Sequence, residues 1–296
     1  YVAMLPVSEV DIEYTATTGP LNYTKSVTDK TYEAGNIYNL GLRMAPVPKN
    51  LSTLTDVYTA HDGEVLTGST TYPVLIPDGA SVTLSGVTVA SSNNDYGSIE
   101  CKGDATIILD GENKVTNSYR NAAIESCYGH TLTITGTGSL TATGGAGSAG
   151  IGGSFYQSCG NIVISGGTIT AIGGEFEDDY GNYYGGAGIG SSYMGYCGKI
   201  TITGGNITAE GAYQGGAGIG SCIDGECGDI TITDTVTRVK ATKGYSATCS
   251  IGAGYSGKCG TVTIGGVEGA ISTSPYIYEP SVYQSTEDYN YYGDDE

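Results

Sequence analysis

Three segments of the chain read Gly147-Ser-Ala-Gly-Ile-Gly-Gly153, Gly185-Gly-Ala-Gly-Ile-Gly-Ser191 and Gly215-Gly-Ala-Gly-Ile-Gly-Ser221, with Cys249-Ser-Ile-Gly-Ala253 as a degenerate fourth. Eight residues after each isoleucine stands a Cys-Gly pair, at Cys159, Cys197, Cys227 and Cys259. Each pair opens an alternating segment: Asn161-Ile-Val-Ile-Ser, Lys199-Ile-Thr-Ile-Thr, Asp229-Ile-Thr-Ile-Thr and Thr261-Val-Thr-Ile. A glycine turn and a further short segment follow, as in Thr168-Ile-Thr-Ala171 and Asn206-Ile-Thr-Ala209. A unit this small cannot bury its apolar side alone, so copies must stack. The alternation has the period of strands, not helices.

The pattern extends backwards through Leu132/Ile134, Ile107/Leu109 and Val82/Leu84. This gives seven copies whose first members fall at 82, 107, 132, 162, 200, 230 and 262, at intervals of 25, 25, 30, 38, 30 and 32. Three short strands per copy, with glycine at the corners, predict one coil of a three-sided, parallel, right-handed β-helix in an all-β chain. The inward residues are Ile, Leu, Val and Ala, including Ile164, Ile202, Ile232 and Ile264 and the repeat isoleucines 151, 189, 219 and 251. Composition agrees: 49 glycines, 25 tyrosines, no tryptophan and two phenylalanines suit strands and turns. A propeller blade of four strands or a leucine-rich frame would leave a different period.

The β-helix is expected over residues 72–273. Residues 1–46 carry strand patterns at 10–15, 21–27 and 37–44, and are expected to be the closing strands of an antiparallel β-sandwich domain. Residues 47–71 would link it to the solenoid and lead in. Residues 274–296 lose the repeat, and 285–296 is acidic, tyrosine-rich and expected to be partly disordered. A net charge of −19 argues against nucleic-acid partners and electrostatic membrane binding. No apolar run approaches the roughly 20 residues of a membrane span. The chain begins at Tyr1, not methionine, and reads as a piece of something longer whose export signal would lie upstream.

Gly-Ala-Gly-Ile-Gly, the eight-residue step, and Cys-Gly-x-Ile-Thr-Ile-x-Gly-Gly-x-Ile-Thr-Ala together resemble the glycine-rich repeats of adhesin-like surface proteins of gut Bacteroidales. The resemblance covers about two thirds of the chain. The opening, with Ala3-Met-Leu-Pro6 and Tyr32-Glu-Ala-Gly-Asn-Ile-Tyr-Asn-Leu-Gly-Leu42, looks like the final hairpin of a fimbrillin-like domain. It lacks that family's lipidated amino-terminal part and most of the first sheet. The resemblances imply an exported protein on the outer surface of a bacterium, associated with pili, with a glycan or surface-protein ligand and pilus subunits as partners.

Four features could carry chemistry. In a stacked fold the column Cys159, Cys197, Cys227, Cys259 places residues about 5 Å apart. That spacing suits a ladder of reduced thiols and also permits disulfides. A second column, Tyr128, Phe155, Tyr193, Ile223 and Tyr255, could be a sugar platform or a corner-sealing aromatic ladder. The third feature is the 38-residue interval, which exceeds its successor by eight and locates an insertion between Gly173 and Tyr184. Its Glu175, Phe176, Glu177, Asp178, Asp179, Tyr180, Tyr183 and Tyr184 offer rings for stacking and carboxylates for sugar hydroxyls. The fourth is catalytic carboxylates, where the residues are sparse: Asp224 and Glu226 lack a partner in the next coil, and His61 and His130 lack a nucleophile motif. No metal or cofactor is expected. The leading expectation is a binding or adhesion protein. A β-helix polysaccharide lyase or hydrolase, which would need a carboxylate cluster spanning two coils, and a structural spacer are the alternatives.

Overall fold

The computed structural model describes residues 7–32, 45–181 and 183–280. The chain divides into two compact units, residues 1–49 and 50–296. In the first, strands Val7–Thr18 and Leu21–Tyr32 pair antiparallel, and the short strand Ala45–Pro46 adds to the second. The strand expected at 37–44, most of the fimbrillin-like motif and the 285–296 tail lie outside the described residues.

The second unit is a parallel β-solenoid of about seven turns. One inward row runs Ala80, Ala105, Leu132, Ile162, Ile200, Ile230, Val262, each residue in register with the next. Two residues on, Val82, Ile107, Ile134, Ile164, Ile202, Ile232 and Ile264 form a second row. The repeat isoleucines continue a third, from Val74, Ile99 and Ile124 through 151, 189 and 219 to 251, all fully buried. A further side narrows to alanine at Ala142, Ala171, Ala209 and Ala241.

The pairing corrects the sequence alignment at one place. Leu132 lies opposite Ala105, not Ile107, so the earliest copies begin at 80 and 105. A slip of two residues keeps every apolar side chain inward, and alternation alone cannot detect it. Parallel pairing also starts earlier than residue 72. Strand Tyr58–Thr59 pairs with Val74–Ile76, and Val65–Thr70 with Ala80–Ser91, so residues 47–71 supply part of a turn. At the far end two antiparallel additions cover exposed strand edges: Val267–Glu268 folds back on Val262–Ile264, and Tyr276–Tyr278 adds to Arg238–Thr242.

The glycine after each repeat isoleucine has a steric cause. Gly152, Gly190, Gly220 and Gly252 hold φ near 140°, 138°, 134° and 130°, where L side chains are rarely found. A Cβ on any of the first three would strike the carbonyl oxygen of the glycine in the next coil. One corner over, Gly129, Tyr156, Met194, Asp224 and Ser256 all take a left-handed φ between 49° and 81°. The coil path demands that geometry whether or not glycine is there.

Candidate binding cleft

The insertion folds as a hairpin. Glu175–Glu177 pairs antiparallel with Tyr183–Gly185, matching Phe176 with Tyr184 and Glu177 with Tyr183. The two strands form a sheet of their own outside the solenoid ladders. Asp178 organises the turn: its Oδ1 accepts from the Tyr180 amide at 2.9 Å and its Oδ2 from the Tyr184 hydroxyl at 2.7 Å. Donation to that carboxylate raises the Tyr184 hydroxyl above its ordinary pKa.

Alternation sends Phe176 and Tyr184 to one face of the hairpin and Glu177 and Tyr183 to the other. On the first face Phe176 stacks on Tyr184, centroids 5.7 Å apart, and Tyr184 meets Tyr193 edge-on at 4.7 Å. Phe155 stacks on Tyr193 at 5.6 Å, and Tyr156 sets its edge against both. The chain has only two phenylalanines, and both lie against one guanidinium. Arg120 Cζ stands 5.2 Å from the Phe155 centroid and 4.8 Å from that of Phe176, a double cation–π contact. The Arg120 carbonyl fixes the loop by accepting from the Phe155 amide at 3.1 Å and the Ser148 hydroxyl at 2.8 Å. Between hairpin and coil lies an open cleft of about 330 Å³, with Arg120, Tyr156, Asp178 and Asp179 among its lining.

The structure thus gathers Phe176, Tyr184 and Tyr193 and brings Asp178, Asp179 and Tyr180 to the cleft, while Glu177 borders it with its carboxylate turned to Tyr183 on the far face. Glu175 is exposed and Tyr183 faces away. The aromatic column is not continuous: Tyr128 turns edge-on to Tyr196 at 6.3 Å, and Tyr255 makes no ring contact with the cluster among the described residues. Arg120 and Tyr156 complete the site and were not among the sequence candidates. The adjacent Phe155-Tyr156 doublet at a coil corner was the available signal.

The cysteine column is in register and lies away from the cleft. Cys159, Cys197 and Cys227 are buried and Cys259 half-buried, all eight cysteines being free thiols. Cys197, Cys227 and Cys259 each point a thiol at a glycine carbonyl of the preceding coil, Gly160, Gly198 and Gly228, at 3.6, 3.9 and 3.6 Å. Such a ladder packs as small hydrophobes with weak hydrogen bonds.

A polar face on earlier coils was not foreseen. Glu100 and Glu125 stand in register on neighbouring coils, where later coils carry Gly152 and Gly190. Lys102 pairs with Glu100, while Glu125 accepts from the Ser154 hydroxyl at 2.6 Å. Burial, with a smaller contribution from Glu100, pushes the Glu125 carboxyl up to about 7 despite the Ser154 bond. Around the corner Asp78, Asp104 and His130 bring possible ligand atoms within 4.8 Å of one another. Asp78 and Asp104 are already engaged, since their Oδ1 atoms accept from the Asp104 and Thr131 amides at 2.8 and 2.7 Å.

The beta-helix repeat family matches residues 132–155, 162–193 and 200–224. The match and the parallel register agree on a beta-helix repeat protein. Comparison with curated proteins and with solved structures returned no match.

Proposed function

We propose that the protein is a glycan-recognising module of a bacterial surface adhesin and that its ligand enters the cleft between the hairpin and the coil. The observation that carries this is the Arg120 guanidinium held over both Phe155 and Phe176 in a cleft also lined by Asp178 and Asp179. Rings offer an apolar face to pyranose C–H groups, and planar charged groups satisfy hydroxyls. A rigid scaffold carrying an inserted aromatic hairpin is a common way to build a binding site. The resemblance of the repeats to adhesin-like proteins supports placement outside the cell and association with pili. Deleting residues 175–182 should abolish binding to a glycan array and attachment to host cells while leaving the melt nearly unchanged. Undiminished attachment by the deletion variant would overturn the proposal.

A second reading, polysaccharide hydrolysis, is favoured by the Glu100 and Glu125 pair. Two carboxyls on adjacent coils, one paired with Lys102 and one with raised pKa, have the unlike environments of a general base or nucleophile and a general acid. Release of new reducing ends from neutral polysaccharides, lost in Glu125→Gln, would establish it. Absence of new ends across those substrates would remove it.

A further inference from the structure

We infer that the cleft selects an uncharged sugar ring bearing adjacent free hydroxyls, with Arg120 as the donor and Asp179 as the acceptor that read them. This rests on the proposal that the cleft takes a glycan. The Arg120 guanidinium lies over both the Phe155 and Phe176 rings, which hold it in place at the cleft wall with its N–H donors available to a ligand. Among the described residues no carboxylate pairs with those donors.

The acceptors are unequal. Asp178 is committed to the hairpin through Tyr184 and Tyr180. Glu177 takes the Tyr183 hydroxyl on the far face of the hairpin. Asp179 is exposed and, among the described residues, carries no hydrogen bond or ion pair. A ligand meeting both Arg120 and Asp179 must accept at one point and donate at another nearby. A hydroxyl does both, and a neighbouring pair does so at the spacing of one side-chain contact each.

Charge excludes the other sugars. One guanidinium against the carboxylates of Asp178 and Asp179 leaves the cleft one charge negative, with Glu177 adding to the negative field from the far face, within a chain of net charge −19. A uronate, sialate or sulfate would enter against that field. An amino sugar would meet Arg120, which already occupies the cation position over the Phe155 and Phe176 rings. About 330 Å³ is near the lower bound of small-molecule sites, roughly 300 Å³, and suits one ring resting on the 58% exposed Tyr156.

The test uses the full chain on an array of neutral gluco-, manno-, galacto- and xylo-oligosaccharides beside sialylated, sulfated and uronate ones. Titration of the best neutral binder into the parent, Arg120→Lys and Asp179→Asn follows, with the melt of each variant measured as a control. Neutral sugars should bind, and each variant should weaken binding by about tenfold or more. Affinity should change little with added salt, because no net ion pair forms. Preference for acidic sugars, or tighter binding by Asp179→Asn, would overturn the neutral-sugar assignment and leave the cleft as the site. Absence of binding to every sugar, or binding indifferent to both Arg120→Lys and hairpin deletion, would bring down the glycan proposal and this assignment with it.

Discussion

Glu125 stands in parallel register with Glu100 on the preceding coil, yet only Glu100 has a cationic partner, Lys102. A carboxyl whose folded pKa lies near 7, against an ordinary 4.5, binds more protons folded than unfolded between those values. Its contribution is fully present below about pH 4.5 and is lost as pH rises through 7. Glu125→Gln should therefore flatten the stability profile over that window, by up to about 3 kcal/mol. Urea melts at pH 5 and pH 8 check this, and parallel profiles for parent and variant would contradict it.

Ile202 is fully buried between Ile164 and Ile232. Ile202→Ala should destabilise the solenoid by about 2–5 kcal/mol, read by chemical denaturation.

Gly220→Ala should also be costly, although it adds only one methyl. The obstacle is the Gly252 carbonyl in the next coil, which is backbone and cannot swing away. A loss of about 1–3 kcal/mol or more is expected in the same denaturation assay, while Gly181→Ala, with φ 78° but open space around it, should be milder.

The thiol ladder predicts a difference between native and unfolded reactivity. Six cysteines are buried, whereas Cys127 and Cys259 are half-buried. Without reductant, a thiol reagent should titrate at most about two groups in the native protein and most of the eight in denaturant. Two or fewer in denaturant would mean that the ladder is oxidised.

Tyr184→Phe keeps the ring that stacks on Phe176 and removes the hydroxyl that holds Asp178. The melt should move little, since the hairpin pairs with no coil, while the amide of Tyr180 should exchange faster with deuterium as the turn loosens.

Much of the fold was legible because inward positions repeat: the 151, 189, 219, 251 column could be read from the recurrent Gly-Ile-Gly alone. The register of 105 against 132 could not, since a slip of two preserves the inward face. The hairpin declared itself as excess length. Its partner Arg120 did not, because the contact joins residues far apart in sequence through a loop that no other coil copies. Glu100 and Glu125 were hidden for the converse reason: the later copies that defined the motif have glycine at their position.

The rows that run unbroken from Ala80 to Val262 place the hydrogen bonds between coils along the stacking direction. Tension applied between the two ends of the stack loads these ladders in series, one coil after another. The stack would then yield by peeling turns from an end, each releasing its own 25 to 38 residues of slack, so that the remaining turns, and a hairpin seated in mid-stack, keep their shape under load.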